Sequence, residues 1–136
     1  MTQVLVNIDV PDLEQGERFY TEALGLRVGR RMGPDFLELL GAGTPIYLLL
    51  KQPGTPPFSD ATVRRDYGKH WTPVHMDFVV DDIDGAVARA EAAGATREGP
   101  VSDHAYGRLA LLRDPFGNGW CLLQFNERGY DAIETG

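Results

Sequence analysis

Two side chains that could take part in catalysis or ligand binding, His75 and Asp77, lie two positions apart in an apolar segment. Residues spaced by two share one face of a β-strand. A histidine and a carboxylate on one face can serve as an acid–base pair, with the pKa of the carboxyl raised, or attract a cationic ligand. Alternatively, the two groups satisfy each other and have only a structural role.

Cys121 is the only cysteine among the 136 residues, so no intrachain disulfide can form and a reducing compartment is expected. A free cysteine usually packs as a small hydrophobic residue, and this inert role is favoured. A nucleophilic role would require a neighbour that lowers the pKa of the thiol, and His75 is the candidate for that neighbour.

Three further side chains are expected at a ligand-binding surface. His104 and Tyr106 lie in the segment 102–107, which is predicted to be a loop across the mouth of a cavity; loops often carry binding residues. Trp71 lies in the long segment 51–73, which is rich in proline and charge. Its indole either covers the cavity or packs against the core and holds this segment in place, and the second role is favoured.

These residues are positioned by an internal repeat, because the segment 4–13 reappears as 74–83. Alternate positions keep their apolar character: Val6 with Met76, Ile8 with Phe78, and Val10 with Val80. The positions between them differ: Leu5 with His75, Asn7 with Asp77, and Asp9 with Val79. The first set predicts a face shared with the core, and the second a face that is free to carry a site. Asn7 supplies a hydrogen-bond donor and an acceptor there.

The repeat predicts one module used twice. Each module reads as strand, helix and three strands, with helix starts at Asp12 and Asp82 and helix ends at Gly25 and Gly94. Module one spans about 3–50, a connector with at most one helical turn spans 51–73, module two spans about 74–126, and a tail follows at 127–136. The predicted fold is a single α+β domain of two βαβββ modules, with a curved mixed sheet around a concave cavity and the helices outside.

The repeat is accompanied by two motifs, Phe-Tyr-Thr-Glu-Ala-Leu-Gly-Leu at 19–26 and Asp-Pro-Phe-Gly-Asn at 114–118. Together they resemble the vicinal oxygen chelate superfamily, which contains glyoxalase I, extradiol dioxygenases, and fosfomycin and bleomycin resistance proteins. The resemblance covers about residues 3–126. It is specific for the fold and weak for the activity, because this fold hosts many chemistries.

Enzymes of that superfamily hold a divalent metal with four side chains, and the resemblance places these positions at Leu5, near Leu48, at His75 and at Cys121. Of these, His75 alone is a usual ligand of oxygen-loving divalent ions, and leucine coordinates nothing. A softer ion such as zinc, held by His75, Cys121 and Asp77, is the lesser alternative. The sequence therefore predicts no cofactor, and the resemblance points to the metal-free binding members.

The charge of the chain limits the classes of partner that are expected. The formal net charge is −7, from 20 acidic and 13 basic side chains, which argues against nucleic acid and mildly favours cationic compounds. The N-terminus has no basic region and no apolar run approaches the roughly 20 residues that span a bilayer. We therefore expect a cytoplasmic protein with no membrane partner. The resemblance to the binding members implies a homodimer.

Three functions are compatible with these observations. The first is a metal-independent protein that binds or sequesters a polar or cationic small molecule in the sheet cavity. The second is a glyoxalase-related lyase, an isomerase or a dioxygenase-like enzyme that uses an atypical metal site or His75 and Asp77 as an acid–base pair. The third is an interaction module whose cavity is filled by its own side chains. The first function is favoured.

Overall fold

The structure is a computed structural model that describes all residues, 1–136, and it contains two compact units, Met1–Gly68 and Lys69–Gly136. The first unit contains strand β1 (Val6–Val10), helix α1 (Leu13–Leu24), and strands β2 (Arg27–Arg31), β3 (Phe36–Leu40) and β4 (Ile46–Leu50). Its sheet has the order β1-β4-β3-β2. Strands β1 and β4 are parallel, and the other neighbours are antiparallel.

The second unit repeats this arrangement with β5 (Asp77–Val79), α2 (Ile83–Ala93), β6 (Thr96–Arg97), β7 (Ser102–His104), β8 (Gly107–Arg113) and β9 (Gly119–Phe125). Its sheet has the order β5-β9-β8-β6, and β7 also pairs with β8. Strands β5 and β9 are parallel, as β1 and β4 are. A 3₁₀ helix, Gly129–Ile133, ends the chain. The predicted α+β fold class and the repeated topology are confirmed.

The helix ends follow the predicted capping chemistry. The Asp12 side chain accepts a hydrogen bond from the Gln15 backbone N–H at 2.9 Å, and Gly25 ends α1 with a left-handed φ of 67°. Asp82 starts α2 in the same way. A side chain on Gly16 would lie 3.2 Å from Leu48 and Val10. The absence of that side chain therefore lets α1 pack closely on β1 and β4.

One prediction about the loops is corrected by the structure. The segment 102–107 is not a loop: β7 pairs with β8 through a tight hairpin that places His104 opposite Gly107. The connector 51–73 contains no helix, which is within the predicted limit of one helical turn, and hydrogen bonds hold it in place. Arg65 bonds through its backbone to Gly54 and Thr55 at 2.8 and 2.9 Å, and the Tyr67 hydroxyl donates to the Lys51 carbonyl at 2.7 Å. No helix in the structure is both long and apolar enough to cross a membrane.

Candidate functional site

The sheet of the second unit has one face against α2 and one face directed away from it. Gln124 accepts a hydrogen bond from the first backbone N–H of α2, that of Ile83, at 2.8 Å, and Trp120 is fully buried edge-on against Phe78. Because strand side chains alternate, the opposite face carries His75, Asp77, Val79, Leu111, Cys121 and Leu123. We call this set the open face.

The open face brings three of the predicted site residues together. Asp77 of β5 pairs with Cys121 of β9, and the Cys121 backbone N–H donates to the Met76 carbonyl at 2.9 Å. His75 precedes the strand on the same side, with its Nε2 3.5 Å from the Asp77 Oδ1. One ligand atom from each of His75, Asp77 and Cys121 lies within 4.8 Å of the others. About a third of each side chain of the His75–Asp77 pair is exposed, so both groups are accessible to a ligand.

The chemistry of Cys121 is set by its burial. Only 3% of the residue is exposed. Burial raises the pKa of the Cys121 thiol to about 12, and the Asp77 carboxylate adds to this shift through its charge and by accepting a hydrogen bond from the thiol. A buried thiol beside a negative charge stays protonated, which opposes a nucleophilic role.

We expect Cys121 to resist alkylation in the folded protein. With a thiol pKa of about 12, roughly one thiol in 10⁴ is ionised at pH 8. Labelling by iodoacetamide, followed by intact-mass spectrometry, should be at least about 100-fold slower in buffer than in 6 M guanidinium. Complete labelling within minutes in the absence of denaturant would contradict this account of the thiol.

Trp71 forms one side of the open face. Its indole lies directly over Gly119, where an added Cβ would be 2.1 Å from the Trp71 Cε3. The indole and the His75 imidazole have centroids 4.8 Å apart and planes tilted by 38°. Trp71 is still 48% exposed. It therefore holds the end of the connector against β9, as predicted, and also presents an aromatic surface beside His75.

His104 and Tyr106 do not join this group. Their rings stack with centroids 5.0 Å apart, and the ring centroids of Tyr106 and Tyr130 of the 3₁₀ helix are 5.3 Å apart. Tyr130 in turn packs against Phe125, four residues along β9 from Cys121 and thus about 13 Å away. The hairpin residues form a separate aromatic cluster that anchors the C-terminal segment. Their contact with a ligand stays a prediction.

Asn7 lies in the first unit, on the face of β1 that points away from α1. It is exposed and pairs with Tyr47 of β4. Its neighbour on that face, Asp9, forms an ion pair with Arg65 of the connector at 2.8 Å. The Arg65 side chain is 16% exposed, so this arm of the connector covers part of the face that was predicted to be free.

The resemblance places a metal-ligand position near Leu48, but Leu48 itself faces α1. It is fully buried, and its Cδ1 lies against Gly16 of α1. The residue of β4 that shares the face of Asn7 is Tyr47. The predicted strand was apolar at every position, so its alternation gave no signal for which side chains point to the helix.

A cluster around Glu38 was missed by the sequence reasoning. Glu38 of β3 is 5% exposed and accepts hydrogen bonds from Arg30 through the backbone N–H at 3.0 Å and the guanidinium at 2.6 Å. The Tyr47 hydroxyl also donates to it, at 3.1 Å. These bonds connect β2 to β3 at the irregularity in their pairing, between Val28 and Arg31. The available signal was a single acid inside an apolar strand.

The Glu38 cluster should make stability fall in acid. Hydrogen bonds from Arg30 lower the pKa of Glu38 to about 2, below its ordinary 4.5. A depressed folded-state pKa adds stability above about pH 4.5, and this stability is lost as the pH falls towards 2. We expect Glu38→Gln to lower the Tm at pH 7 by on the order of 5 °C and to flatten the fall between pH 4.5 and 2. Parallel wild-type and variant curves of Tm against pH would contradict this.

The metal set that the superfamily resemblance implies does not fit these residues. His75 provides an imidazole, but Cys121 provides a buried sulfur ligand, which hard divalent cations do not prefer. In the first unit, Leu5 cannot coordinate an ion, and the Tyr47 hydroxyl is already bonded to Glu38. Hard divalent cations prefer carboxylate, imidazole and water ligands. The chain thus lacks the four donors that such a site uses.

Comparisons with known proteins agree with this topology. The profile of a Glyoxalase-like domain matches residues 5–123. The chain is 32% identical over 120 residues to the anthracycline biosynthesis protein DnrV of Streptomyces peucetius, which covers 87% of the chain. The match spans only 39% of the length of that relative.

Solved structures show the same fold. The antibiotic binding protein TnmS3 from Streptomyces sp. CB03234 is 25% identical with a TM-score of 0.64, over 93% of this chain and 98% of that chain. A glyoxalase-related enzyme from Fulvimarina pelagi is 21% identical with a TM-score of 0.70, over 91% and 88%.

Proposed function

The chain belongs to the Glyoxalase-like domain family, and on that premise we propose that it binds a small polar or cationic compound on the open face, without a resident metal. The observation that carries this proposal is the surroundings of Asp77. Its carboxylate is about one-third exposed, lies 3.5 Å from the neighbouring imidazole without a lysine or arginine partner, and lies among aromatic and apolar side chains.

The side chains of the open face favour a flat aromatic ligand. Trp71 and His75 offer adjacent rings, and Val79 and Leu111 are 61% and 39% exposed. Exposed apolar groups beside one charged group are typical of small-molecule sites, in which apolar contact gives affinity and the polar group fixes orientation. A planar aromatic compound with a protonated amine satisfies both features, because its ring stacks on the indole and its amine meets Asp77.

The relatives support this ligand class. One is named for anthracycline biosynthesis and another is described as an antibiotic binding protein. Anthracyclines such as doxorubicin combine a planar chromophore with an amino sugar that is positively charged at neutral pH. The net charge of −7 favours the approach of such a cation.

The test is a thermal-shift comparison of doxorubicin with its N-acetyl derivative, which has the same chromophore and no charge. A ligand at 100 times its Kd adds about 2.7 kcal/mol of stability to the folded state. We expect the Tm to rise with the concentration of doxorubicin. The N-acetyl compound should need an at least tenfold higher concentration to give the same rise in Tm. Equal shifts would remove the role assigned to Asp77, and the lack of any shift would favour a cavity filled by its own side chains.

An enzyme is the second candidate function, favoured by the convergence of His75, Asp77 and Cys121 within 4.8 Å. Three donors are the number that catalytic zinc usually takes from a protein, and the His75–Asp77 contact also suits an acid–base pair. One zinc ion per chain in tag-free protein, measured by inductively coupled plasma mass spectrometry, would support the enzymatic function. The binding function predicts far less than one metal ion per chain.

We also propose that the protein is a homodimer in solution, as the resemblance to the binding members implies. Size-exclusion chromatography with light scattering should give the mass of two chains. The mass of one chain would contradict this proposal and leave the binding function untouched.

A further inference from the structure

A cavity of about 380 Å³ lies in the second unit at the start of β9. It is lined by Lys69, His70, Trp71, Glu98, Leu112, Arg113 and Gly119. Its volume is at the lower end of the range found for ligand pockets. The cavity is large enough for one substituent or a single ring. Trp71 belongs to both this cavity and the surface beside His75, so the two sites share one wall.

The cavity carries an uncompensated positive charge. The Lys69 Nζ lies 2.9 Å from the Glu98 Oε2, and the Arg113 Nε lies 2.7 Å from the Glu98 Oε1. One carboxylate therefore stands between two cations. This local charge of +1 is opposite in sign to the net charge of −7 of the whole chain.

Arg113 has hydrogen-bonding capacity that this ion pair does not use. Its bond to Glu98 runs through Nε, which does not use its two terminal nitrogens. The Arg113 side chain is 31% exposed, so these nitrogens are within reach of a ligand. A guanidinium presents its remaining N–H groups as a flat fork that matches a carboxylate. The single excess charge likewise matches a monoanion.

We propose that this cavity binds a carboxylate carried by the aromatic compound on the open face, with Lys69 and Arg113 as the recognising groups. This inference rests on the proposed binding function. The shared wall gives the geometry: a ring against Trp71 directs one substituent towards Asp77 and another into the cavity. The natural ligand would then carry both an amine and an acid.

The test uses two small probes, 1-naphthoate and its neutral analogue 1-naphthamide, titrated into the full chain by ligand-observed NMR. We expect naphthoate to bind at least tenfold more tightly than naphthamide. Arg113→Met should abolish this difference, and Lys69→Met should reduce it. Lys69 is 65% exposed, so its replacement gives a folded variant even if Arg113→Met does not fold.

The outcomes separate this inference from the proposed function. Asp77→Asn should weaken doxorubicin and leave naphthoate unchanged, whereas Arg113→Met should have the opposite pattern. Equal binding of naphthoate and naphthamide to the wild type would overturn the carboxylate site. Unchanged naphthoate affinity in both Lys69→Met and Arg113→Met would also overturn it. Neither result would affect doxorubicin binding at Asp77.

Discussion

Replacing Asp77 with asparagine is expected to weaken doxorubicin binding by at least about tenfold, which corresponds to about 1.4 kcal/mol. Asparagine keeps the shape of the side chain and an oxygen that accepts the Cys121 hydrogen bond, but it removes the charge that meets the amine. Hydrogen bonds to charged groups contribute roughly 1.5–3 kcal/mol, so the loss should be clear in a titration followed by tryptophan fluorescence.

The matched control for this substitution is Asp81→Asn. Asp81 is exposed and lies four residues further along the chain, beyond the end of β5. Because it is also an aspartate, its replacement changes the net charge by the same amount. We expect its affinity for doxorubicin to stay within about twofold of the wild type, because exposed charges at a distance are screened by salt. Equal losses in both variants would show that only the overall charge attracts the ligand.

The second large effect should come from Gly119→Ala, which displaces Trp71. The added methyl would lie 2.1 and 2.4 Å from the indole Cε3 and Cζ3, distances that real contacts do not reach. Glycine is therefore required here by the close approach of the ring. We expect the indole to leave its place beside His75 and doxorubicin affinity to fall at least about tenfold. The expected fall in Tm is only several degrees, because the Trp71 ring is already half exposed.

Two further variants make this result specific. Gly43→Ala adds the same methyl where nothing lies within 4 Å, and it should leave binding unchanged. In a Trp71→Ala background, Gly119→Ala should cause no further loss, since the group it displaces is gone. A full additional loss in the double variant would mean that Gly119 acts through the β-sheet and not through the indole.

The open face could be predicted from sequence because its signal has a period of two. In the repeat, Phe78 and Val80 keep the apolar character of Ile8 and Val10, which left His75 and Asp77 on the opposite face. The structure places them there and pairs Asp77 with Cys121. The strand register brings Asp77 and Cys121 side by side, although they lie 44 positions apart in the sequence. The superfamily resemblance had assigned both His75 and Cys121 to the site without this register.

The first unit was harder to predict for two physical reasons. Strand β4 is apolar throughout, so alternation did not show that Leu48 faces α1 and Tyr47 faces away. The Glu38 cluster depends on pairing, because Tyr47 lies opposite Glu38 only once β3 and β4 are in register. Arg30 reaches the same carboxylate across an irregular pairing of β2 that no local pattern reveals.

The hairpin at β7 and β8 shows a different cause of error. Polar residues followed by glycine at 102–107 are typical of a loop, and the segment was predicted as one. Gly107 has a φ of +148°, and a Cβ there would lie 2.0 Å from the Gln124 carbonyl oxygen. The glycine therefore allows β8 to approach β9 closely at the hairpin, a tertiary requirement that composition does not show.

The open face is proposed to bind a cationic aromatic compound without a metal. The most direct test of this proposal is a calorimetric titration of doxorubicin into tag-free protein that has been stripped of metal with a chelator, beside a zinc-supplemented sample. We expect one bound compound per chain, with the same Kd in both samples. Binding that appears only with zinc, or no binding in either sample, would contradict the proposal.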